Sequence, residues 1–372
     1  MAAPPRDDPW RAVDMINQSP PVDCSKPYDT STLADKTILI TGGASGFGAA
    51  FARHWARYGA HLIIGDVNDR AGEELVAELR SSSSPNQLIL YQHCDVTSWS
   101  DQLALFKAAA SLSKTKSIDA VVAGAGIVER GDPVTPSATS TVFDLPHALD
   151  SDTTTTPPPP PLKVLAVNLT GVMYTTHLAL YYLPLNAHGD RHLLLISSIA
   201  GLVPLAGQTE YTVSKHAVIG LFRALRGTAW TKGIRVNVLT PYFVDTPLLP
   251  TPALALLAGG AKAELEDVVD AATRLMADEG IRGRALLVGP EMRVVDEEER
   301  GDGRRLRMVE GEGRQDGERR QAVWEIYGHD YERVETFVWR YLAVLNVMRG
   351  IRGWVGLVRD MLGICFGKRK RG

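Results

Sequence analysis

Cysteine is scarce in this chain of 372 residues, which holds only Cys24, Cys94 and Cys365. The three stand far apart, with no Cys-x-x-Cys pair and no Cys/His spacing suited to a metal. That pattern disfavours a disulfide framework and a structural zinc, predicts no metal ion and suits a reducing compartment, so the expected location is cytoplasmic. A charge excess is lacking too. The formal net charge of −3 gives no electrostatic reason to expect nucleic acid as a partner. No run of about 18 uncharged apolar residues occurs, which argues against a transmembrane helix. The first 35 residues are polar and rich in Pro and Asp, without the apolar core of a signal peptide. What the chain does have is a 45% hydrophobic, 22% charged composition, ample for a well-packed globular core.

Short apolar runs at 37–41, 61–66, 87–92, 119–124, 192–197, 234–239 and 285–288 read as buried parallel strands, with helical patterns between them. Seven strands with helical crossovers predict an α/β fold, a Rossmann-type doubly wound parallel sheet in a single domain. Three segments break the rhythm. Residues 1–35 read as a loose N-terminal arm. Residues 131–161 carry Ser/Thr runs and end in five consecutive prolines, which cannot continue a helix or a central strand, so they read as a loop inserted into the 36–290 domain. Residues 291–320 mix Glu and Asp with Arg and Gly and read as a charged, solvated linker. Residues 321–372 turn apolar and basic again and are expected to form a helical C-terminal extension.

Thr41-Gly42-Gly43-Ala44-Ser45-Gly46-Phe47-Gly48 follows the first strand and opens a helix. Gly42 suits a tight turn, Gly46 a close approach of backbone to a pyrophosphate, and Gly48 close packing of helix on strand. The helix N-terminus then offers free N–H groups and a positive dipole end to phosphates. Alone, such a turn is weak evidence for a dinucleotide. Asp66 strengthens it: it ends the second strand 20 residues after Gly46, where a carboxylate accepts hydrogen bonds from ribose hydroxyls and repels a 2′-phosphate. Neither Ser45 nor Val67 supplies a cation for that phosphate, so NAD is expected rather than NADP. Asp95-Val96 after the third strand and Ala123-Gly124-Ala125-Gly126 after the fourth reach the same sheet edge and could meet the adenine and the cofactor backbone. Each is weak by itself, because Asp after a strand is often only a cap.

Tyr211 and Lys215 stand four residues apart on one face of a helical pattern. A nearby ammonium favours a phenolate, so the pair predicts a tyrosine that works closer to neutral pH than its ordinary value near 10. The bland alternative is a surface Tyr/Lys pair. Ser198, 13 residues before Tyr211, could hydrogen-bond a substrate oxygen and steady developing charge, with Ser197 as its competitor. Asn168 could hold a water linking Lys215 to solvent, or could simply satisfy backbone groups inside a helix.

Taken together in chain order, the glycine turn, Asp66, Asp95, Asn168, Ser198, Tyr211 and Lys215 resemble the short-chain dehydrogenase/reductase family over residues 36–290, about two-thirds of the chain. The Asn168–Val172 run and residues 278–286 resemble its 15-hydroxyprostaglandin dehydrogenase-like branch and fungal 5′-hydroxyaverantin dehydrogenase-like members. The resemblance implies an NAD(P)-dependent oxidoreductase that oxidises a secondary alcohol, lipophilic and drawn from secondary metabolism, to a ketone. It implies Tyr211 as general acid/base, Ser198 as the group that positions the substrate oxygen, and Lys215 as the residue that binds nicotinamide ribose and tunes Tyr211. It also implies that Asn168 completes a proton relay. The same resemblance implies Thr41, Gly42, Ser45, Gly46, Phe47, Gly48, Asp66, Asp95, Val96, Ala125, Val244 and Thr246 as cofactor contacts beside Tyr211 and Lys215, with Thr246 at the nicotinamide carboxamide. Two departures stand out: Ala123-Gly124-Ala125-Gly126 replaces the family's Asn-Asn-Ala-Gly, and Pro241-Tyr242 replaces its Pro-Gly.

Leu248, Leu249, Leu254, Leu256 and Leu257 follow Thr246 and hint at an apolar ligand. From residue 334 onward eight Lys/Arg face two carboxylates, a net of +6. That tail fits either a membrane-surface helix or one that packs on the domain, over the substrate cleft or a subunit interface; the second is favoured because basic amphipathic helices are common in soluble proteins. The expected partners are an alcohol or ketone substrate and, from the family, further copies of the chain in a homodimer or homotetramer. The rival functions are carbonyl reduction or epimerisation on the same fold, and a non-enzymatic dinucleotide-binding module, whose expected signature is a damaged Ser/Tyr/Lys set. The set here is complete.

Overall fold

The structure is a computed structural model. It describes residues 15–129, 162–187, 189–205, 207–248, 262–297, 305–309, 316–328 and 330, with further positions between 338 and 351. The 131–161 insertion, Leu249, Leu254, Leu256, Leu257 and the basic end of the tail lie outside the described residues. The chain divides into two compact units, Ser19–Ile326 and the pair Met1–Gln18 with Tyr327–Gly372.

The larger unit is built on a sheet whose parallel strands are β1 (Thr37–Thr41), β2 (His61–Asp66), β3 (Ile89–His93), β4 (Ala120–Ala123), β5 (His192–Ile196), β6 (Arg235–Pro241) and β7 (Ala285–Glu297). They run in the order β3-β2-β1-β4-β5-β6-β7. β1, β4, β5 and β6 are buried along their whole length, which is why they read as continuous apolar runs and not as alternating ones. All seven expected strands are present, with ends shifted by a residue or two except at β7, which runs on past Val288 to Glu297. The helices that alternate with them are α1 (Gly46–Ala56), α2 (Asp69–Ser82), α3 (Trp99–Leu112), α4 (Val172–Tyr182), α5 (Thr209–Arg226) and α6 (Leu265–Ala277). Local chemistry sets their starts: Asn68 accepts the Ala71 N–H at α2, and Ser98 accepts the Asp101 N–H at α3. One face of the sheet (Ile38, Ile40, Leu62, Ile64, Leu194) forms a single apolar core with Phe51 and Trp55 of α1 and Leu275 of α6. The buried Trp55 indole donates to Thr273 Oγ1 at 2.9 Å, tying α1 to α6.

The strand order reverses beside β1, which pairs with β2 on one edge and β4 on the other. The loops after β1 and β4 therefore part at the carboxyl end of the sheet. In open α/β sheets that switch point is where ligands bind.

Two sequence readings need correction. Most of the described residues in the segment read as a charged linker over 291–320 are in sheet. β7 continues to Glu297, and two antiparallel strands, β8 (Arg305–Met308) and β9 (Arg319–Ile326), pair with it. The alternating charges meet across these strands, with Arg293 on Glu318 and Arg320 on Glu291, both at 2.8 Å. Val294, Ala322 and Val323 are buried. β9 also occupies the start of the stretch expected to be helical; helical residues recur at described positions within 338–351. In that smaller unit the Asn346 side chain donates to the Met15 carbonyl.

The arm is not loose from Ser19 onward. Arg274 of α6 donates to the carbonyls of Lys26 and Cys24 at 2.7 and 3.2 Å and stacks on the Tyr28 ring. Tyr28 donates to Asp270 at 2.7 Å. Leu33, in a single turn over Thr30–Leu33 capped by Asp29, is fully buried. The buried guanidinium needs carbonyl acceptors, and the arm supplies them.

Candidate active site

At the switch point the glycine turn meets geometric demands that no other residue satisfies. Gly42 has φ +69°, and a Cβ there would stand 2.6 Å from the Ala125 backbone. A Cβ on Gly48 would lie 2.3 Å from the Gly42 carbonyl, so α1 could not pack this close to β1. Gly46 differs: its φ is +51°, yet the space beyond it is open, because it faces a cleft of about 1010 Å³. Ser45 occupies the N-cap of α1 but makes no side-chain capping bond, so the first-turn N–H groups remain available to a ligand. The cleft, its open glycine and this uncapped helix start together fit the pyrophosphate of a dinucleotide.

Ser45, Phe47, Asp66, Asp95, Val96, Ala125 and Thr246 all line this cleft. Asp66 accepts backbone N–H groups from Ala44 and Asn68, each at 3.0 Å, which holds its carboxylate at the rim. Asp95 spends one oxygen on the N–H and hydroxyl of Thr97, both at 2.8 Å, the local turn that is the bland alternative for this residue. Thr41 is set apart from these. Its buried hydroxyl lies between β1 and β4, donating to the Val122 carbonyl and accepting the Gly124 N–H.

A smaller cavity of about 140 Å³ adjoins the cleft, and the two share Phe47, Val128, Thr246 and Leu248. Ser198 and Tyr211 face into it, among Ile199, Leu205, Tyr242, Phe243 and Val244. Strand β5 delivers Ser198 to the sheet edge, and the first turn of α5 delivers Tyr211. The Ser198 hydroxyl lies near enough to Tyr211 to favour its phenolate. Ser197 is the less suitable of the two serines, because its hydroxyl donates to the Lys215 carbonyl at 2.9 Å and pins α5 to β5. Lys215 is buried below Tyr211, its ammonium 5.5 Å from the phenol ring centre and 3.1 Å from the Ile196 carbonyl to which it donates.

The electrostatics correct the expectation of a lowered tyrosine. Burial raises the Tyr211 phenol above its ordinary 10, and the nearby Ser198 hydroxyl only partly offsets it. Burial likewise pushes Lys215 down to about 8. Both groups share a low-dielectric site, where desolvation of each charged form outweighs the help either gives the other.

Asn168 sits in a π-helical stretch, Ala166–Gly171, just before α4. Such bulges recur at functional sites. Its amide clasps the backbone of Ile127, donating to the carbonyl and accepting the N–H, both at 2.8 Å, and it also donates to Ser214. That is the backbone-satisfying geometry, although a Cβ on Gly126 would come within 3.5 Å of both the Asn168 carbonyl oxygen and the Lys215 ammonium.

The two departures from the family pattern have visible causes. A Cβ on Gly124 would lie 2.9 Å from the Thr41 carbonyl, so this chain's β1–β4 spacing excludes a larger residue there. Tyr242 lies edge-on to Phe243 at 4.9 Å and adds an aromatic wall to the small cavity. Sequence reasoning missed two residues at the site, Glu129 and Glu210, both of which line the cleft. An isolated carboxylate beside a Tyr-x-x-x-Lys motif has no periodic signal that could have revealed them. Among the described residues no cluster suits a metal ion, and no helix is long and apolar enough to cross a membrane.

A family model described as short chain dehydrogenase matches residues 36–252. The 5′-hydroxyaverantin dehydrogenase of Dothistroma septosporum is 36% identical over 277 residues, covering 71% of this chain and 87% of that protein. Its namesake from Emericella nidulans is 34% identical over 283 residues, with the same coverage. The cis-4-hydroxycyclohexanecarboxylate dehydrogenase of Sinomonas cyclohexanicum is 33% identical over 252 residues, 66% of this chain and 90% of that one. The crystal structure of levodione reductase superposes with a TM-score of 0.56 at 22% identity, over 69% of this chain and 97% of that one, which supports the fold. With the glycine turn at the switch point and the match over more than half the chain, the conclusion is that the chain belongs to the short-chain dehydrogenase family, NAD(P)-dependent oxidoreductases that act on CH–OH groups.

Proposed function

We propose that the protein is an NAD-dependent dehydrogenase that oxidises a secondary alcohol on an apolar molecule to the ketone. The observation that carries this reading is that Ser198 and Tyr211 together line an apolar cavity that adjoins the dinucleotide cleft. Gly42, Gly46 and the first turn of α1 would hold the pyrophosphate. Asp66 would bind the adenosine ribose, Asp95 and Val96 the adenine, and Ala125, Val244, Thr246 and Lys215 the nicotinamide half. When bound, the cofactor supplies the hydride acceptor. Ser198 holds the substrate hydroxyl by hydrogen bonding. Tyr211 Oη takes the hydroxyl proton as the carbinol carbon loses its hydride, so the alcohol is oxidised by two electrons and one proton passes to the phenolate. Lys215 places a positive charge below that phenolate.

The choice of NAD over NADP rests on Asp66 at the rim of the cleft and the exposed, uncharged Val67 beside it. The lipophilic substrate rests on Val128, Ile199, Leu205, Tyr242 and Phe243 around Tyr211, and the relatives named for hydroxyaverantin point to a secondary metabolite. A cytoplasmic enzyme working as a homodimer or homotetramer completes the proposal. The reverse reaction, carbonyl reduction, is favoured by one observation: Tyr211 is buried, and burial favours the neutral phenol that a proton donor must be.

The test is turnover of a panel of apolar secondary alcohols, 1-phenylethanol and cyclohexanol among them, and of their ketones, followed by NADH absorbance. Tyr211→Phe should abolish turnover in both directions while NADH still binds. Undiminished turnover by this variant would overturn the assignment.

A further inference from the structure

Two carboxylates that no family motif accounts for hold the first turn of α5, the turn that carries Tyr211. The N-cap residue, Gln208, makes no side-chain capping bond. The orphan N–H groups are instead met from another loop: Glu129 Oε1 accepts the Glu210 N–H at 3.1 Å, and Oε2 accepts the Tyr211 N–H at 3.3 Å. The Gln208 side chain locks this contact by bonding both the N–H and the carbonyl of Glu129, each at 3.2 Å. The second carboxylate points the other way. Glu210 is 1% exposed, and its Oε2 alone accepts the N–H groups of Val164 and Leu165, at 3.0 and 3.2 Å. Val164 packs in one small apolar cluster with the Tyr211 ring and Ala200, flanked by Ile127 and Val128.

We infer that Glu129 and Glu210 are positioning residues for Tyr211. Glu129 fixes its backbone, and Glu210 fixes the wall against which its ring rests. Neither meets the reacting atoms in this arrangement. The inference rests on the proposed role of Tyr211. A negative charge at a helix N-terminus is also favourable in itself, so the contacts are strong as well as directional.

The oxygen pattern dictates an ordered result. Glu210 uses one oxygen for both N–H groups, so Glu210→Gln can turn its carbonyl oxygen to them and keep the contact. Glu129 uses a different oxygen for each, so Glu129→Gln keeps one acceptor and presents an amide N–H₂ to the other backbone N–H. The variants E129A, E129Q, E210A, E210Q and Y211F are compared with wild type, using the panel alcohol that wild type oxidises fastest. The measurements are kcat, KM for the alcohol, NADH affinity by fluorescence and thermal midpoint. A displacement of about 1 Å at a reacting group can cost on the order of 100-fold in rate. The expectation is a kcat loss of roughly 10- to 100-fold in E129A and E210A, a smaller loss in E129Q, and E210Q within about 3-fold of wild type. KM for the alcohol and NADH affinity should stay within about 3-fold of wild type, since the loss lies in the orientation of Tyr211 and not in uniform binding.

A purely structural role predicts lower midpoints with unchanged kcat in the folded fraction, and that result overturns the inference. So does E129Q matching wild type while E210Q is crippled. Should the alanine variants fail to fold, the two glutamine variants still decide by their order. An active Y211F sinks the functional reading itself, whereas an inactive Y211F beside a fully active E129A sinks only the positioning inference.

Discussion

Lys215 is the residue whose removal should stabilise the protein as it destroys the activity. Its ammonium is buried, with the Ile196 carbonyl as acceptor, and burial lowers it from an ordinary 10.5 to about 8. At about 1.4 kcal/mol for each pH unit, keeping the charge in the folded protein costs about 3 kcal/mol near neutrality. The sign follows from which state binds more protons. Below pH 8 the lysine is protonated both folded and unfolded, and the full cost is present. Between 8 and 10.5 the folded protein has released the proton and the unfolded chain has not, so stability rises with pH. Above 10.5 both forms are neutral and the cost is gone. Lys215→Met keeps the side-chain volume and removes the charge, at the loss of one hydrogen bond worth about 1 kcal/mol. The net gain at pH 7 is about 2 kcal/mol, or roughly 4 °C in melting temperature. The assay is urea and thermal unfolding of cofactor-free wild type and variant from pH 7 to pH 10, read as the difference between the two proteins so that other titrating groups cancel. The variant's advantage should shrink steadily from pH 8 and vanish by about pH 10. A variant that is less stable than wild type at pH 7, or whose advantage does not change with pH, would refute the reasoning.

Three further perturbations separate cofactor, backbone and scaffold. Asp66→Asn should lower kcat/KM with NAD by about 10-fold or more and narrow its preference over NADP, measured by steady-state kinetics with both cofactors, because a charge-assisted hydrogen bond is worth about 1.5–3 kcal/mol. Gly48→Ala forces a Cβ to 2.3 Å from the Gly42 carbonyl, whereas Gly46→Ala meets open space and only backbone strain of about 1–2 kcal/mol. Thermal unfolding should therefore rank G48A well below G46A, and equal melting points would contradict the packing described. Asp190→Ala should cost about 3–5 kcal/mol in urea unfolding at pH 7 and leave kcat unchanged, because it leaves the buried Arg235 with neutral carbonyl acceptors in place of a carboxylate and Lys36 with Glu279 as its remaining carboxylate. Burial raises the Asp190 carboxyl, but Arg235 and Lys36 overcome that and hold it well below the usual carboxylate range. Its contribution is therefore full above the ordinary 3.8 and lost as pH falls below it, and the gap between variant and wild type should close in acid.

Most of the sheet could be read in advance because its signals are local. Buried runs such as Thr37–Thr41 are apolar on both faces, and the glycines of the first turn carry their reasons in their spacing. What escaped was set by distant partners. The stretch around Arg293 and Arg319 has a linker's composition, and only the meeting of Arg293 with Glu318 and Arg320 with Glu291 makes it a sheet edge. The arm looked loose because nothing in residues 19–35 announces that Arg274, roughly 250 positions later, needs their carbonyls. At the site, the fourfold spacing of Tyr211 and Lys215 was legible, but the sign of the tyrosine shift was not. Motif spacing brings a cation near; it does not reveal that burial will outweigh it. The choice between Ser197 and Ser198 needed the rotation of the chain after β5, which one hydrogen bond to Lys215 decides.

The same strands carry opposite electrostatic arrangements at their two ends. At the carboxyl edge, Tyr211 is buried beside Lys215, and the nearest acceptor for the ammonium is a neutral carbonyl. At the amino edge, Asp190 is met by both Arg235 and Lys36, and Arg235 also donates to the carbonyls of Leu275 and Met276 in α6. His192 is pushed far below its ordinary range by burial and by Arg235, so it enters this network as a neutral ring beside Asn237. A proton-transfer site needs groups whose charge can change during turnover, and full pairing would fix those charges. A scaffold needs the reverse. β5 and β6 hold both regimes about five residues apart, and the paired amino edge supplies rigidity that lets the carboxyl edge keep an ill-matched charge folded. If that division holds, the stability gained in Lys215→Met and lost in Asp190→Ala should add in the double variant, because the two sites share no partner. A departure from additivity larger than about 0.5 kcal/mol would show instead that the two edges are coupled through the strands.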